Sequence, residues 1–479
     1  MPGDTFTFHW WSVRPEVLWT DWLVYLLVGA ITAFVIYARR HEHLRAPWRS
    51  VLRRRLAMSA LVVMLTYIGI GLLDSVHFRV PVAKPEGGGV RYSAEVYSLL
   101  DRLVLPLKTQ TETTYSSPFA AHLYTKESIE LPDGSVTRDY PRLVHGAAHL
   151  DDPDRQLWPD VRQRSLNAVL HSVIVVAVLV FALAWWQARR ARTCLTAMLR
   201  QMWNGETGYP WKSLLATAGL LVLVFMLALQ LAPHYHVLGT DKVGTDVFYQ
   251  SLKSIRTGLL IGTLTTLVML PFAILFGIMA GYFRGWIDDV IQYLYTTLSS
   301  IPGILLIAAA VLIMQAYIDS HPDLFRSVTQ RADIRLLFLC MILGITSWTS
   351  LCRLLRGEVL KLREVDYIQA AQAFGVSSAR IISRHLLPNT MHIVLIVIVL
   401  DFSGLVLAEA VLSYVGVGVD PSMISWGNMI NSARLEMARE PIVWWSLMAA
   451  FVFMFLLVLA ANLLADAVRD AFDPRLRTQ

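Results

Sequence analysis

Residues 362–389 read L-R-E-V-D-Y-I-Q-A-A-Q-A-F-G-V-S-S-A-R-I-I-S-R-H-L-L-P-N and stand between two long apolar stretches. The segment is too polar to cross a bilayer and too long for a simple turn. Ala370, Ala371 and Ala373 are strong helix formers, so the first part reads as a helix. Gly375 ends that helix by taking positive φ. Ser377 and Ser378 then offer caps for a second helix, which Pro388 closes near the next apolar stretch. The pattern is helix, glycine turn, helix, hung between two membrane spans. Small alanines at the tip let another protein surface approach closely, and Arg380 and Arg384 offer charge pairing. An ordinary connecting loop with an Ala-rich helix fits the same pattern.

The flanking stretches belong to a wider scheme. Of 479 residues, 55% are hydrophobic and 16% charged, and mean hydropathy is +0.49, whereas soluble domains average about 25% charged residues. That composition excludes a disordered chain and argues against a string of soluble domains. A bilayer core about 30 Å thick needs roughly 20 apolar residues in a helix. Nine segments qualify, near 22–38, 56–73, 166–186, 214–231, 258–279, 291–317, 336–355, 392–415 and 442–464. The fifth contains Pro271, and the sixth holds Ser299, Ser300 and Pro302 near its start. Such breakers are tolerated where neighbouring helices satisfy the freed backbone groups. The expected fold class is an all-α polytopic membrane protein.

Arginines orient it. The link after the first span carries Arg39, Arg40, Arg45, Arg49, Arg53, Arg54 and Arg55. The link after the third carries Arg189, Arg190, Arg192 and Arg200, with Lys212 at its end, and the link after the seventh carries Arg353, Arg356, Lys361, Arg363, Arg380 and Arg384. With nine spans all three links share one side, which the short-loop rule makes cytoplasmic. The N-terminus is then outside, and the C-terminus with Arg475 and Arg477 inside. The net charge of +6 therefore reflects these links rather than nucleic-acid binding. No secretory signal peptide is expected, since Arg14 is the one basic residue among the first 21.

Residues 75–165 form one long outer loop with turn-forming stretches K-P-E-G-G-G (84–89) and L-P-D-G-S (131–135). Long loops translocate largely regardless of charge. Cys194, Cys340 and Cys352 all fall elsewhere, so no disulfide staples it. It reads as a small α+β or loop-rich unit resting on the membrane part.

The order A-A-x-x-x-G followed by L-P at the spacing of 362–389 resembles the "EAA" coupling loop of ABC-type importer permeases. Ala370, Ala371, Gly375, Leu387 and Pro388 match it; Gln369 replaces the usual glutamate and His385 the usual isoleucine. H-V-L-G-T-D-K-V-G-T-D-V-F (236–248) is similar to the outer motif G-T-D-x-x-G-R-D of the dipeptide/oligopeptide branch, C-type subunit, with Thr245 in place of its arginine. A-G-Y-F-R-G-W-I-D (280–288), L-A-E-A-V-L-S-Y-V-G-V-G-V (407–419), S-W-G-N-M (425–429) and N-L-L-A-D-A-V-R-D-A-F-D-P-R-L (462–476) resemble further stretches of that branch, in the same order.

The resemblance implies a six-helix type I importer core at 212–479; the span count places before it a two-helix membrane segment (1–74), the extracytoplasmic insert (75–165) and a third helix with its link (166–211), which fall outside the common pattern. It implies a permease subunit in a bacterial inner membrane that needs no cofactor of its own. Its expected partners are ATPase subunits that use ATP and magnesium and dock at 362–389, a second, B-type permease, an extracytoplasmic solute-binding protein, and membrane lipid. Peptides or peptide-like compounds are the implied cargo.

Other residues offer different chemistry. Asp401 lies within the eighth span with Glu409 eight residues later, so both can face one cavity. An intramembrane carboxylate marks a pathway by default; structural pairing is the alternative, favoured for Glu409 and open for Asp401. A secondary transporter using Asp401 is the rival from another class, and a membrane-anchored sensor reading ligand through 75–165 is a second. His145 and His149 have helical ligand spacing, but H-G-A-A-H lacks the glutamate of a metalloprotease, so no metal is expected. His41 and His43 read as headgroup neighbours. Trp10, Trp11, Trp185, Trp186, Trp444 and Trp445 read as interfacial anchors. The chain contains no G-x-x-x-x-G-K-[ST] phosphate loop and no G-x-S-x-G elbow, so neither ATP hydrolysis nor hydrolase chemistry is expected of it.

Overall fold

The computed structural model describes residues 13–82, 91–93, 95–130, 136–321 and 327–472. Trp10, Trp11, the stretches 84–89 and 131–135, Arg475 and Arg477 lie outside the described residues, as does the side chain of His43.

The chain builds α1 (Trp19–Arg40), α2 (Glu42–Arg53) and α3 (Arg55–Asp74), then two short helices, α4 (Leu99–Leu103) and α5 (Leu105–Thr109). There follow α6 (Pro153–Ala191), α7 (Leu195–Asn204), α8 (Trp211–Leu231), α9 (Val247–Phe283), α10 (Trp286–Ser300), α11 (Gly303–Ser320) and α12 (Val328–Ser347). The last are α13 (Thr349–Arg363), α14 (Asp366–Ala373), α15 (Ser378–Ile381), α16 (Leu387–Val415), α17 (Trp426–Glu436) and α18 (Trp445–Phe472). Among the described residues nine helical runs are long and apolar enough to cross a membrane, one for each segment found in the sequence.

Their limits differ from the sequence reading in informative ways. The third span begins at Pro153, more than a turn-pair before its apolar stretch, so α6 runs 39 residues and stands clear of the bilayer at one end. The sixth is two helices: the chain breaks at Ile301 and Pro302, where Ile301 is extended (ψ 132°), because the residue before a proline is pushed out of the helical region. α11 alone is the crossing helix.

α9 is the axis of the bundle. A Cβ on Gly277 would lie 2.8 Å from Leu355 Cβ and one on Gly281 2.7 Å from Val359 Cβ, so α9 and α13 touch nearly backbone to backbone. Small residues at such contacts are how helices associate in lipid, where no hydrophobic drive separates protein from solvent. Higher on α9, Gly258 leaves room for the Trp426 ring and Gly262 for Phe402. α8 packs along α6 and α3, so it is seated between two helices that precede it in the chain.

The loop 362–389 marks one end of the bundle. Trp48 and Val51 of α2 pack against Leu464, Val468 and Phe472 of α18 there, and Ser213 of α8 bonds Ser59 of α3 at 2.7 Å. At the far end the chain before α1 contributes a strand: Arg14–Glu16, His77–Arg79 and Tyr97–Ser98 form a three-stranded antiparallel sheet. Among the described residues, Pro81–Val82 pairs antiparallel with Arg91–Tyr92 and Glu127–Glu130 with Val136–Asp139.

That end is tied down by buried polar groups. Arg256 of α9 donates to Asp21 at 2.7 Å and to the Thr20 hydroxyl at 2.9 Å, and His77 Nδ1 lies 2.8 Å from Asp21. Thr20 donates to Asp333 of α12 through both its backbone N–H and its hydroxyl. Lys253 of α9 reaches Asp74 at 2.5 Å and Asp101 at 3.0 Å. The aspartates come from α1, α3, α4 and α12, so the segments before α6 share one ionic network with α9 and α12.

Candidate functional site

Within 362–389, α14 ends in a glycine-closed hydrogen-bond pattern. The N–H of Val376 bonds Ala371 O at 3.1 Å, the N–H of Gly375 bonds Gln372 O at 3.0 Å, and Gly375 has φ +75°. This is a Schellman cap, with Val376 and Ala371 both lying against the apolar cluster beneath. That cluster fixes the loop to the bundle: Ile368, Ile381 and Leu386 are fully buried against Ile278 and Tyr282 of α9 and Val359 of α13. Polar contacts brace the sides. Arg284 meets Glu364 at 2.6 Å, Arg363 donates to Tyr282 O at 2.7 Å, and Asn389 donates to the Tyr367 hydroxyl at 3.0 Å. Arg356 and Asp288 form a two-point pair at 2.6 and 2.7 Å just behind, and the guanidinium holds the Asp288 carboxyl below the usual carboxylate range.

The second helix departs from the sequence reading. Ser377 stands at its N-cap, but its hydroxyl makes no capping bond. Pro388 does not close it either. Residues Ile382–Leu386 form a π-helical turn, with the Leu387 N–H bonded to Ile382 O, and the helix continues as α16 with Pro388 in its first turn. A proline at that position loses no hydrogen bond that the π turn has not already displaced. The run Ser378–Val415 is therefore one rod of 38 residues.

Of the residues matched to the loop pattern, Gln369, Ala370, Gly375, Arg380, Arg384 and Pro388 are exposed, and Ala371 and Leu387 are half-buried. Gln369 turns inward on the loop, donating to Glu364 O at 3.3 Å. Among the described residues neither Arg380 nor Arg384 has an ion pair. Phe374 was missed: it is 87% exposed at the tip, flanked by half-exposed Tyr367. The available signal was a large apolar side chain immediately before the glycine of an otherwise polar link.

Asp401 and Glu409 do not meet. Glu409 is buried and accepts from Ser413 at 2.8 Å and Ser425 at 3.0 Å, tying the N-cap of α17 to α16. Asp401 is half-buried in mid-α16 and lies outside the walls of the two far-end cavities.

The outer motif 236–248 folds around aspartates. Asp246 caps α9, accepting from the N–H groups of Phe248 at 2.8 Å and Tyr249 at 3.1 Å, while His236 Nδ1 sits 2.8 Å from it. Asp241 accepts from the N–H groups of Val243 and Thr245, so Thr245 serves through its backbone. The other face of His236 approaches Glu112 at 3.4 Å, and Glu112 accepts three N–H bonds from Val144, His145 and Gly146. Despite burial, the two carboxylates raise His236 to about 9, and its donors lower Glu112 to about 2. Gly239 brings the turn against Ser116 O and the Trp445 indole. Trp445 is thus buried, donating to Thr240 O at 2.9 Å; it is not the interfacial anchor read from sequence. Trp185 and Trp186 carry Arg189 and Arg190 over their rings at 3.9 Å, and Trp444 is exposed.

His145 gives its backbone to Glu112 and His149 pairs with Asp160 at 3.1 Å; the two rings do not converge, and among the described residues no cluster suited to a metal occurs. His41 bonds Tyr37 O at 2.9 Å.

Residues 273–478 match the family described as binding-protein-dependent transport system inner membrane component. The chain is similar to the dipeptide transport system permease protein DppC of Bacillus subtilis (strain 168), 29% identical over 287 residues, 56% of this chain and 83% of that one. It is similar also to the glutathione transport system permease protein GsiD of Pectobacterium atrosepticum, 33% identical over 245 residues, 51% of this chain and 74% of that one. The oligopeptide transport system permease protein OppC of Mycobacterium tuberculosis (strain ATCC 25618 / H37Rv) is 33% identical over 245 residues, 51% and 77% of the two chains.

Proposed function

The chain belongs to the binding-protein-dependent inner-membrane permeases of the dipeptide and oligopeptide branch, and from that premise we propose that it carries peptides or peptide-like solutes inward through ATPases docked on residues 362–389. It is a multi-pass inner-membrane permease subunit of an ABC importer, a transport component rather than a catalyst. Importers of this kind work with ATPases that use ATP, with permease partners and with a binding protein. The finer assignments are ours: magnesium accompanies the ATP in the partner, a B-type permease completes the path, and an extracytoplasmic protein delivers solute.

The observation that carries this reading is the rigidly mounted, exposed tip around Phe374 and Gly375. Gln369, Ala370, Ala371, Arg380 and Arg384 frame it as a docking surface, while Leu387 and Pro388 join it to the span. Closure of the ATPases on ATP draws two such tips together and opens the path outward; hydrolysis reverses it. This is alternating access driven by the ATPases' different affinity for the two states. Three arginine-rich links share the loop end of the bundle, which supports a cytoplasmic loop end, an outside N-terminus and a cytoplasmic C-terminus. We read 212–479 as the transport core and 1–74, 75–165 and 166–211 as its added frame.

The test is uptake of a labelled peptide by membranes containing the whole importer. Uptake is expected to survive a protonophore and stop on ATP depletion. The reverse pattern overturns the reading in favour of ion-coupled transport through Asp401.

A further inference from the structure

At the far end, α11, α12, α16 and α17 surround a cavity of about 580 Å³, and a second of about 290 Å³ adjoins it. Small-molecule sites span roughly 300–1,000 Å³. Glu436, the last residue of α17, lines both cavities and is 3% exposed. Its Oε1 accepts a long 3.3 Å bond from the Tyr115 hydroxyl, and its Oε2 has no partner.

Burying a carboxylate oxygen without a protein donor is costly. Among the described residues Glu436 has no ion pair. Burial and the nearby Asp241 carboxylate hold it above the usual range, against the pull of Tyr115, Lys242 and Arg439. A cation with N–H donors, small enough to enter the cavities, would meet it directly, which Lys242 and Arg439 do not do from outside ion-pair distance.

We propose that Glu436 receives the ammonium group of a zwitterionic solute at the far-end mouth of the path, an inference that rests on the peptide reading above. The same wall supplies the opposite charge. Lys242, Arg434 and Arg439 line the larger cavity, and among the described residues none of the three has an ion pair, whereas Arg335 in the same wall is already matched by Asp420 at 2.5 Å and Asp319 at 2.7 Å. A solute bearing both an ammonium and a carboxylate matches this pairing of a buried carboxylate outside any ion pair with cationic side chains across the cavity. Tyr115 comes from the 75–165 insert, so the insert completes the site.

The test compares uptake of a tripeptide with a free amino terminus and its N-acetylated form by the complete importer in proteoliposomes. Binding-protein preference is common to wild type and variant, so it cancels when their ratios are compared. In E436Q the free-to-acetylated ratio is expected to fall about tenfold, and E436D is expected to keep most of the preference. An unchanged ratio in E436Q overturns the site while leaving peptide transport standing. No peptide uptake by wild type overturns the peptide reading, and this inference with it. A measurement without variants guards against misfolding: the wild-type importer lacking its binding protein must bind the free-amino tripeptide at least tenfold more tightly than the acetylated one, and equal binding overturns the proposal.

Discussion

Arg256, in the third turn of α9, donates at 2.7 Å to Asp21 in the first turn of α1, 235 residues away in sequence. One turn before it, Lys253 is held by Asp74 and Asp101. Both cations on the bundle's central helix are thus neutralised chiefly by segments that precede α6. Cations buried in a membrane helix are tolerated only when paired.

Asp21→Ala takes the nearest carboxylate from Arg256 and His77 together, leaving Arg256 only the more distant Asp333 at 4.0 Å. Removing one partner of a buried pair costs about 3–5 kcal/mol, so the purified protein is expected to melt well below wild type. Asp21→Asn with Arg256→Met removes both charges and is expected to recover part of the loss. Thermal unfolding in detergent measures both, and a double variant less stable than D21A would show that the pair is not the source.

Phe374→Ala leaves the spans alone, since exposed substitutions usually change stability by less than about 0.5 kcal/mol. Its melting temperature should match wild type while recovery of ATPase subunits on co-purification drops about tenfold, the scale of an interface hot spot. Gly375→Val acts differently. Its φ of +75° costs a β-branched residue about 1–2 kcal/mol, although no atom stands within 4 Å of the new Cβ. ATP hydrolysis should continue while transport falls severalfold; normal transport with ATPases bound would refute the coupling role.

The His236 clamp sets a pH dependence. A histidine raised from 6.5 to about 9 contributes stability fully below pH 6.5, and loses it as pH rises through about 9. Glu112, lowered from 4.5 to about 2, contributes fully above pH 4.5 and loses it as pH falls through about 2. Between about pH 4.5 and 6.5 both contributions are present. Melting temperature should decline from there toward pH 9 in wild type, and His236→Gln should flatten that alkaline decline while leaving the acid side sloped.

Two glycines on adjacent helices are expected to respond oppositely to alanine. On α9 a Cβ at Gly281 falls 2.7 Å from Val359 Cβ and 2.9 Å from Arg356 O. The helices must separate, at about 1–3 kcal/mol. On α13 a Cβ at Gly357 meets nothing within 4 Å, and alanine there gains up to about 1 kcal/mol of helix propensity. Unfolding midpoints of G281A and G357A should bracket that of wild type.

Local chemistry made the nine spans and the Gly375 turn legible: hydropathy over a bilayer's thickness, and a backbone angle that one residue adopts freely. What escaped the sequence depends on distant partners. Trp445 reads as an anchor until Gly239 and Thr240 are folded over it. Pro388 reads as a stop until the π turn before it absorbs the lost bond. Asp21, Asp74, Asp101, Lys253 and Arg256 draw no notice one at a time, because their meaning is their mutual distance. Glu436 sits in an unremarkable polar stretch, and its idle oxygen exists only once Tyr115 has closed on the other one.

The uninterrupted helix from Ser378 to Val415 has a mechanical corollary. At 1.5 Å per residue its 38 residues make an arm about 57 Å long, on which a tilt of about 6° moves one tip by some 6 Å when the other is pinned. Such an arm transmits torque as well as tilt. One residue inserted anywhere along it would twist its two tips about 100° out of phase, so this stretch tolerates exchanges of side chain but no change in length.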